Sequence, residues 1–345
     1  MPSQASRASK RHTWGPPALA VLLAAWMTCG AQPASAAAPS AEDTKLDRIT
    51  FSGNHNAYEK STYGRLTDGL DAGSRLLEID VYTDPVSGWV VSHSNPVSSD
   101  SNCTRKNVFG KQVRNGDLAD CLTDMRRWSD AHPGHDPVYV KLEMKWGFYG
   151  RGDMAPEDLD RLIAHRLGSD RVFAPGDLTG TAYTDADTAA RAGAWPTLAR
   201  ARGKFLFYVW PGTVEGKVFE DNVPTDVEYG RHVRDRAAAG RLPEVMAWPA
   251  TRSLATRSAY EPSIAPWFVL FNDSAGAWLN GDPLAYCRSH YLLTATSAQS
   301  VTPPGTTDPT PGERLDYLGE HVQPSVMTHD WTGGAGVFDT RARSC

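Results

Sequence analysis

The chain has 345 residues, 41% of them hydrophobic and 22% charged, with 35 Lys and Arg against 40 Asp and Glu. That composition excludes a disordered or fibrous chain, which lacks the apolar residues to build a core. The acidic excess argues against nucleic acid as a partner, since phosphate backbones are held by clustered cations.

Residues 1–36 read as a secretory signal. Arg7, Lys10 and Arg11 give a basic start, Ala18 to Met27 is an apolar run, and Ala34, Ser35 and Ala36 supply a small-residue cleavage pattern. The apolar run is half the roughly 20 residues that a membrane-spanning helix needs. An uncleaved anchor is the other reading. Without the three signal cations, 32 basic residues face 40 acidic ones, a formal charge of −8 on residues 37–345. A secreted, extracellular monomer is expected. Four cysteines follow the signal: Cys103, Cys121, Cys287 and Cys345. An even count in an exported chain points to two disulfides. Three pairings are open. Cys103–Cys121 with Cys287–Cys345 is favoured, because the first closes a short loop and the second pins the C-terminus. A zinc site is disfavoured by the lack of any C-x-x-C spacing.

Along the rest of the chain, short β-rich apolar runs alternate with polar stretches. The runs are ITFSG from Ile49, RLLEIDVY from Arg75, WVVSH from Trp89, PVYVKLEMK from Pro137 and KFLFYVW from Lys204. They continue as EVMAW from Glu244, PWFVLFN from Pro266, HYLLTAT from His290 and SVMTHDW from Ser325. Helical segments are expected at Pro156 to Leu167 and Asp226 to Ala239. Residues 301–312 form a Pro/Thr/Gly loop rather than a domain boundary. Strands alternating with helices predict a parallel sheet. Nine candidate strands for eight positions predict a closed TIM-type (β/α)8 barrel, with one run in a hairpin. An open doubly wound sheet is the runner-up, but it calls for a Gly-rich turn after the first strand.

Polar residues fall on these strands in a pattern. Side chains alternate between the faces of a strand. Glu78, Asp80 and Tyr82 therefore share one face of the second run, while Leu77, Ile79 and Val81 share the other. In the fourth run Lys141, Glu143 and Lys145 stand opposite Val140, Leu142 and Met144. Carboxylates inside a barrel are costly unless paired or bound to metal, and functional sites of this fold lie at the C-terminal strand ends. Glu78, Asp80 and Glu143 are thus expected to converge, with Asn56 adding a neutral oxygen. Oxygen donors without cysteine suit Ca²⁺ or Mg²⁺ before zinc. The alternative is a set of Lys–Glu pairs bridging neighbouring strands. His55 ends the first run and His93 the third. Histidine takes and gives protons near neutrality, and two beside a metal site suit phosphodiester cleavage.

Taken in order, GNHNAY, GSRLLEIDVY, WVVSH and PVYVKLE resemble the catalytic X-region of phosphatidylinositol-specific phospholipase C, most closely the secreted bacterial, calcium-dependent branch. The resemblance spans residues 49–145. It implies one catalytic barrel over residues 37–345, with Ca²⁺ held by Asn56, Glu78, Asp80 and Glu143 and catalysis by His55 and His93. It also implies attack of the inositol 2-hydroxyl on phosphorus, which expels diacylglycerol and gives a cyclic inositol phosphate. His93 would act as general acid, His55 would stabilise developing charge, and Glu78 or Glu143 would receive the hydroxyl proton. Lys145 would contact the substrate phosphate or hydroxyls, or else be a solvated lysine at a strand end. Peripheral contact with phosphatidylinositol membranes is implied as well. Asn54 and Ala57 stand where Thr or Ser and Ser are common in this family, and THDW departs from its last-strand ending, which leaves His329 and Asp330 open. Three other readings remain. One is a glycerophosphodiester phosphodiesterase, whose first motif has His-Arg where this chain has His55–Asn56. Another is a sphingomyelinase D-like enzyme. The third is a non-catalytic inositol-lipid barrel, for which Trp210, Trp248 and Trp278 could serve binding.

Overall fold

In the computed structural model, residues 41–98, 100–215 and 223–345 are described. The secretory signal read at residues 1–36 lies outside them. The strands are β1 (Ile49–Asn54), β2 (Leu76–Asp84), β3 (Gly88–Val91), β4 (Thr104–Lys106), β5 (Gln112–Arg114) and β6 (Val138–Met144). They continue as β7 (Phe205–Pro211), β8 (Ala247–Thr251), β9 (Leu270–Ser274), β10 (Leu292–Thr296), β11 (Val326–His329) and β12 (Arg341–Ala342). Strands β1, β2 and β6 to β11 run parallel, each beside its neighbour, and β1 pairs with both β11 and β2. That closes the (β/α)8 barrel expected from the alternating pattern. The closing seam is thin. β1 and β2 share one register pair, Asn54 opposite Leu77, whereas β2 and β6 are paired from Leu76–Tyr139 to Val81–Met144.

Helices fill every crossover between barrel strands. They are α1 (Leu66–Ala72), α2 (Leu118–Ala131), α3 (Pro156–Ile163), α4 (Pro175–Thr179), α5 (Ala186–Arg191) and α6 (Leu198–Ala201). After β7 come α7 (Thr225–Ala238), α8 (Leu254–Ser258), α9 (Ala275–Leu279), α10 (Pro283–Arg288) and α11 (Pro311–His321). Their ends follow local chemistry. Asp117 and Asp120 cap the start of α2 reciprocally, and Thr310 with Glu313 does the same for α11. The segment expected as a helix from Pro156 to Leu167 is α only to Ile163. It widens into a π turn over Ala164–Gly168 and stops at Gly168, whose φ is 98°. No helix among the described residues is long and apolar enough to cross a membrane.

Three strand expectations shift. The WVVSH run is the hairpin member: β3 pairs antiparallel with β2 and ends at Val91, two residues before His93. β8 begins at Ala247, after a 3-10 turn over Leu242–Glu244, and β9 begins at Leu270, after another over Ala265–Trp267. Pro243 and Pro266 have no N–H for a ladder, which suits them to those turns. Both disulfides form in the favoured pairing, Cys103–Cys121 and Cys287–Cys345. Leu77, Ile79, Val81, Val140, Leu142 and Met144 are fully buried on the faces of β2 and β6 opposite the charged residues. Trp248 and Trp278 belong to the core, Trp248 packing against Phe173 and Trp195.

Candidate active site

The register of β2 on β6 sets Glu78 beside Lys141 and Asp80 beside Glu143. Neighbours in register share a face, so these four side chains face one another inside the barrel. Carboxylate oxygens of Glu78, Asp80 and Glu143 lie within 4.8 Å of one another, and all three residues are buried. Two lysines bridge them. Lys141 Nζ is 2.7 Å from Glu78 Oε1 and 3.4 Å from Glu143 Oε2. Lys145 Nζ is 2.6 Å from Glu143 Oε1 and 2.8 Å from Asp80 Oδ2. The Lys–Glu pairing considered as an alternative to a metal site is therefore present.

It does not complete the cluster. Three carboxylates against two ammonium groups leave one negative charge. Glu78 Oε2, Asp80 Oδ1 and Asn56 Oδ1 are buried and have no hydrogen-bond partner. Burying an unsatisfied oxygen costs roughly 1–3 kcal/mol, and more when it is charged. Three such oxygens, with one surplus negative charge and no sulfur or imidazole among them, fit a hard divalent cation. The electrostatics agree. Burial, reinforced by Glu143's charge, pushes the Asp80 carboxyl up to about 6 despite Lys145. Burial also acts to raise Glu143, but Lys141 and Lys145 outweigh it and hold that carboxyl below its usual range. Burial likewise opposes the charge on Lys141, and Glu78 and Glu143 more than offset it.

The histidines arrive on loops. At Gly53 a Cβ would lie 2.2 Å from the Leu76 nitrogen, so a side chain there would block the approach of β1 to β2. Asn54 turns away from the cluster: it accepts from Tyr63 Oη at 3.0 Å and donates to the Trp331 carbonyl at 2.7 Å. Its departure from Thr or Ser is thus absorbed structurally. The His55 backbone N–H donates to the His329 carbonyl, and His55 Nδ1 lies 3.1 Å from Asp330 Oδ1. Gln299 Nε2 donates to the other Asp330 oxygen at 2.6 Å. Asn56 adopts φ 48°, a left-handed conformation that asparagine tolerates. Its Nδ2 lies 3.2 Å from Glu59 Oε1 and 3.3 Å from His93 Nδ1.

His93 reaches the same place from the hairpin. Because β3 runs back along β2, Ser92 donates to the Asp80 carbonyl, and His93 Nδ1 comes to 3.2 Å from Asp80 Oδ2. Glu59 Oε1 lies 3.5 Å from the same nitrogen. Asp100 accepts from the His93 N–H, and Tyr82 Oη donates to its carbonyl at 3.2 Å. His93 and Asn56 thus gather around the carboxylate cluster, and His55 adjoins Asn56 in the chain with Asp330 on its outer nitrogen. Lys145 is only 6% exposed, with its ammonium engaged by Asp80 and Glu143, so it is not a solvated lysine.

Sequence reasoning left Asp330 unassigned and did not single out Glu59, Asp100 or Gln299. The signal for Asp330 was its place just past the last strand, the position His55 holds after the first. His329, its neighbour, turns the other way: it is fully buried against Trp331 and Phe338, and neither ring nitrogen has a partner.

Comparison with known proteins gives these features a family. A family model described as "Phosphoinositide phospholipase C, Ca2+-dependent" matches residues 109–225, a span that includes Glu143 and Lys145 but none of the other candidates. A solved calcium-dependent phosphatidylinositol-specific phospholipase C from Streptomyces antibioticus is 42% identical, with 88% of this chain and 100% of that one covered and a TM-score of 0.80. A calcium-dependent phosphoinositol-specific phospholipase C from Pseudomonas sp. shares the fold at 21% identity and a TM-score of 0.65, over 88% of this chain and 96% of that one. Comparison with curated proteins returns no match. The barrel, its buried acidic cluster and the extent of the Streptomyces likeness establish that the chain belongs to the calcium-dependent phosphatidylinositol-specific phospholipases C.

Proposed function

We propose that the chain cleaves phosphatidylinositol to diacylglycerol and a cyclic inositol phosphate. Asn56, Glu78, Asp80 and Glu143 hold Ca²⁺, and His55 and His93 carry the proton transfers. The observation that carries this reading is the trio of buried, unpartnered oxygens on Asn56, Glu78 and Asp80. When bound, the cation neutralises the phosphate oxygens and lowers the pKa of the attacking hydroxyl. The inositol 2-hydroxyl forms the new bond to phosphorus as the bond to the diacylglycerol oxygen breaks. Asp330, at His55 Nδ1, fixes that ring with Nε2 free to face the substrate, where it stabilises the charge that develops on the phosphate. His93, whose Nδ1–H donates to Asp80, gives its other ring proton to the leaving oxygen. The hydroxyl proton passes to a carboxylate of the cluster. Lys145 keeps Asp80 and Glu143 in place and adds positive charge beside the phosphate site.

The same reading makes residues 1–36 an export signal and residues 37–345 the catalytic unit of a secreted monomer. It sets the enzyme to work in peripheral contact with a lipid surface, with no role for nucleic acid. The test is to incubate the protein with phosphatidylinositol vesicles and with glycerophosphoinositol, each with and without EGTA, and to follow products by phosphorus NMR. Diacylglycerol and a cyclic inositol phosphate, formed only without EGTA, are expected. Cleavage of only the water-soluble diester would overturn the reading and favour a glycerophosphodiester phosphodiesterase.

A further inference from the structure

We infer that the β4–β5 hairpin is a membrane-docking finger, which seats the barrel mouth on anionic lipid. The inference rests on the proposed function for its orientation and names the surface that this function requires. Four large apolar side chains stand exposed among the described residues: Val86, Val97, Val108 and Phe109, at 94%, 89%, 93% and 84%. All four lie within one short stretch of chain. Val86 tips the β2–β3 hairpin, Val97 follows His93, and Val108 and Phe109 form the turn of the β4–β5 hairpin. Isolated exposed apolar residues need no explanation, but Val108 and Phe109 stand side by side at one hairpin tip, and exposed apolar groups held together mark an interaction surface.

The hairpin is tied to the side of the barrel that carries the histidines. Its approach segment is stitched to the loop after β1: Asn102 Nδ2 donates to the carbonyls of Ala57, Glu59 and Tyr63, and Lys60 donates to the Asp100 carbonyl. Glu59 and Asp100 are the same residues that contact His93. At the base of the hairpin, the Cys103–Cys121 disulfide joins it to α2, and the Gly116 N–H donates to the Cys103 carbonyl. The finger is therefore held at its root beside the catalytic pair.

Charge selects the partner. The segment from Thr104 to Arg114 carries Arg105, Lys106, Lys111 and Arg114, all exposed, and no acidic residue. Among the described residues Arg105, Lys106 and Lys111 take part in no ion pair of 4 Å or less. This is a local basic patch on a chain whose charge past residue 36 is −8. An exposed Val–Phe tip between pairs of cations matches an anionic bilayer surface: the tip enters the acyl boundary while the cations meet lipid phosphates. An acidic protein would answer the charge but leave Val108 and Phe109 in water.

The test is sedimentation of the secreted protein, residues 37–345, with vesicles in EGTA, so that neither the export signal nor the metal cluster plays a part. The vesicles are phosphatidylcholine alone or phosphatidylcholine mixed with phosphatidylglycerol, neither of them the proposed substrate. Binding to the mixed vesicles is expected, weakening as salt is raised. F109S, and separately K106E/K111E, should each lower the partition coefficient roughly tenfold or more. Both variants should keep the wild-type melting temperature and wild-type cleavage of a water-soluble inositol phosphodiester. Wild-type protein that ignores the mixed vesicles, or variants that bind as wild type does, would overturn the inference. Because binding is read without turnover, it stands or falls separately from the assigned chemistry.

Discussion

His55 and His93 have different neighbours, and their variants should differ accordingly. His55→Ala and His93→Ala should each lower kcat/KM by about 10²- to 10⁴-fold, the usual share of a positioned acid or base. Asp330→Asn removes only the partner that orients His55, so its loss should be smaller and should fall on kcat more than on KM. An Asp330→Asn variant as impaired as His55→Ala, or either alanine variant near full activity, would contradict the assignment. His329 gives a separate, structural prediction. Burial pushes its pKa down from 6.5 to about 4. The unfolded chain takes up that proton at a higher pH than the folded one does. The contribution of His329 to stability is thus intact above about pH 6.5 and is lost progressively toward pH 4, to a total of roughly 3 kcal/mol at about 1.4 kcal/mol per pKa unit. His329→Phe should therefore flatten the acid limb of the melting-temperature profile between those values. An unchanged limb would show that the ring is protonated in the fold. At this scale the sequence was readable where alternation fixed a face: Glu78 and Asp80, and Lys141 and Glu143, share the interior as their spacing requires. It was not readable where two loops meet. Asp330 and His55 are far apart in the chain, and no periodicity encodes the approach of one loop end to another.

Among the elements, the approach of β1 to β2 depends on Gly53. Its missing Cβ is where the Leu76 backbone lies, at 2.2–2.6 Å. Gly53→Ala should push the strands apart and cost about 1–3 kcal/mol or more, as overpacking does. The check is chemical denaturation alongside an activity assay, and loss of activity should exceed what the unfolded fraction explains. A variant with wild-type stability would mean that β1 shifts without strain. The position of His93 is also a property of elements. WVVSH marks a strand and a histidine, but its antiparallel return to the level of Asp80 depends on how far the hairpin reaches past the barrel. The runs from Glu244 and Pro266 read as longer strands than they form, because Val245, Met246, Phe268 and Val269, which lie between the 3-10 turns and the strands, are buried as strand residues are. The β4–β5 hairpin left no pattern to find. Its burial is exposed or partial throughout, so no hydrophobic alternation was required of it.

Over the whole molecule, the closed barrel was legible in outline because eight buried strands must alternate with helices that cover them. Which strands close the ring was not, since that depends on register. The answer is the thin seam between β1 and β2, joined by the Asn54–Leu77 pair and by the Arg75 N–H donating to the Ser52 carbonyl. β1 leads into His55 and Asn56, while β2 carries Glu78 and Asp80, so the seam divides the proposed ligands between its two banks. Local opening there would separate them, and short ladders are where amide hydrogens escape first. A cation held by Asn56 on one bank and by Glu78 and Asp80 on the other would act as a clasp. Adding Ca²⁺ should then slow hydrogen exchange of the Arg75 and Leu77 amides more than that of the β6–β7 ladder, in wild-type protein and in the His55→Ala and His93→Ala variants alike. Unchanged exchange at the seam would mean that the ion sits on one bank alone. The barrel would then breathe along the line that parts His55 from the carboxylates, and each closure would reassemble the site.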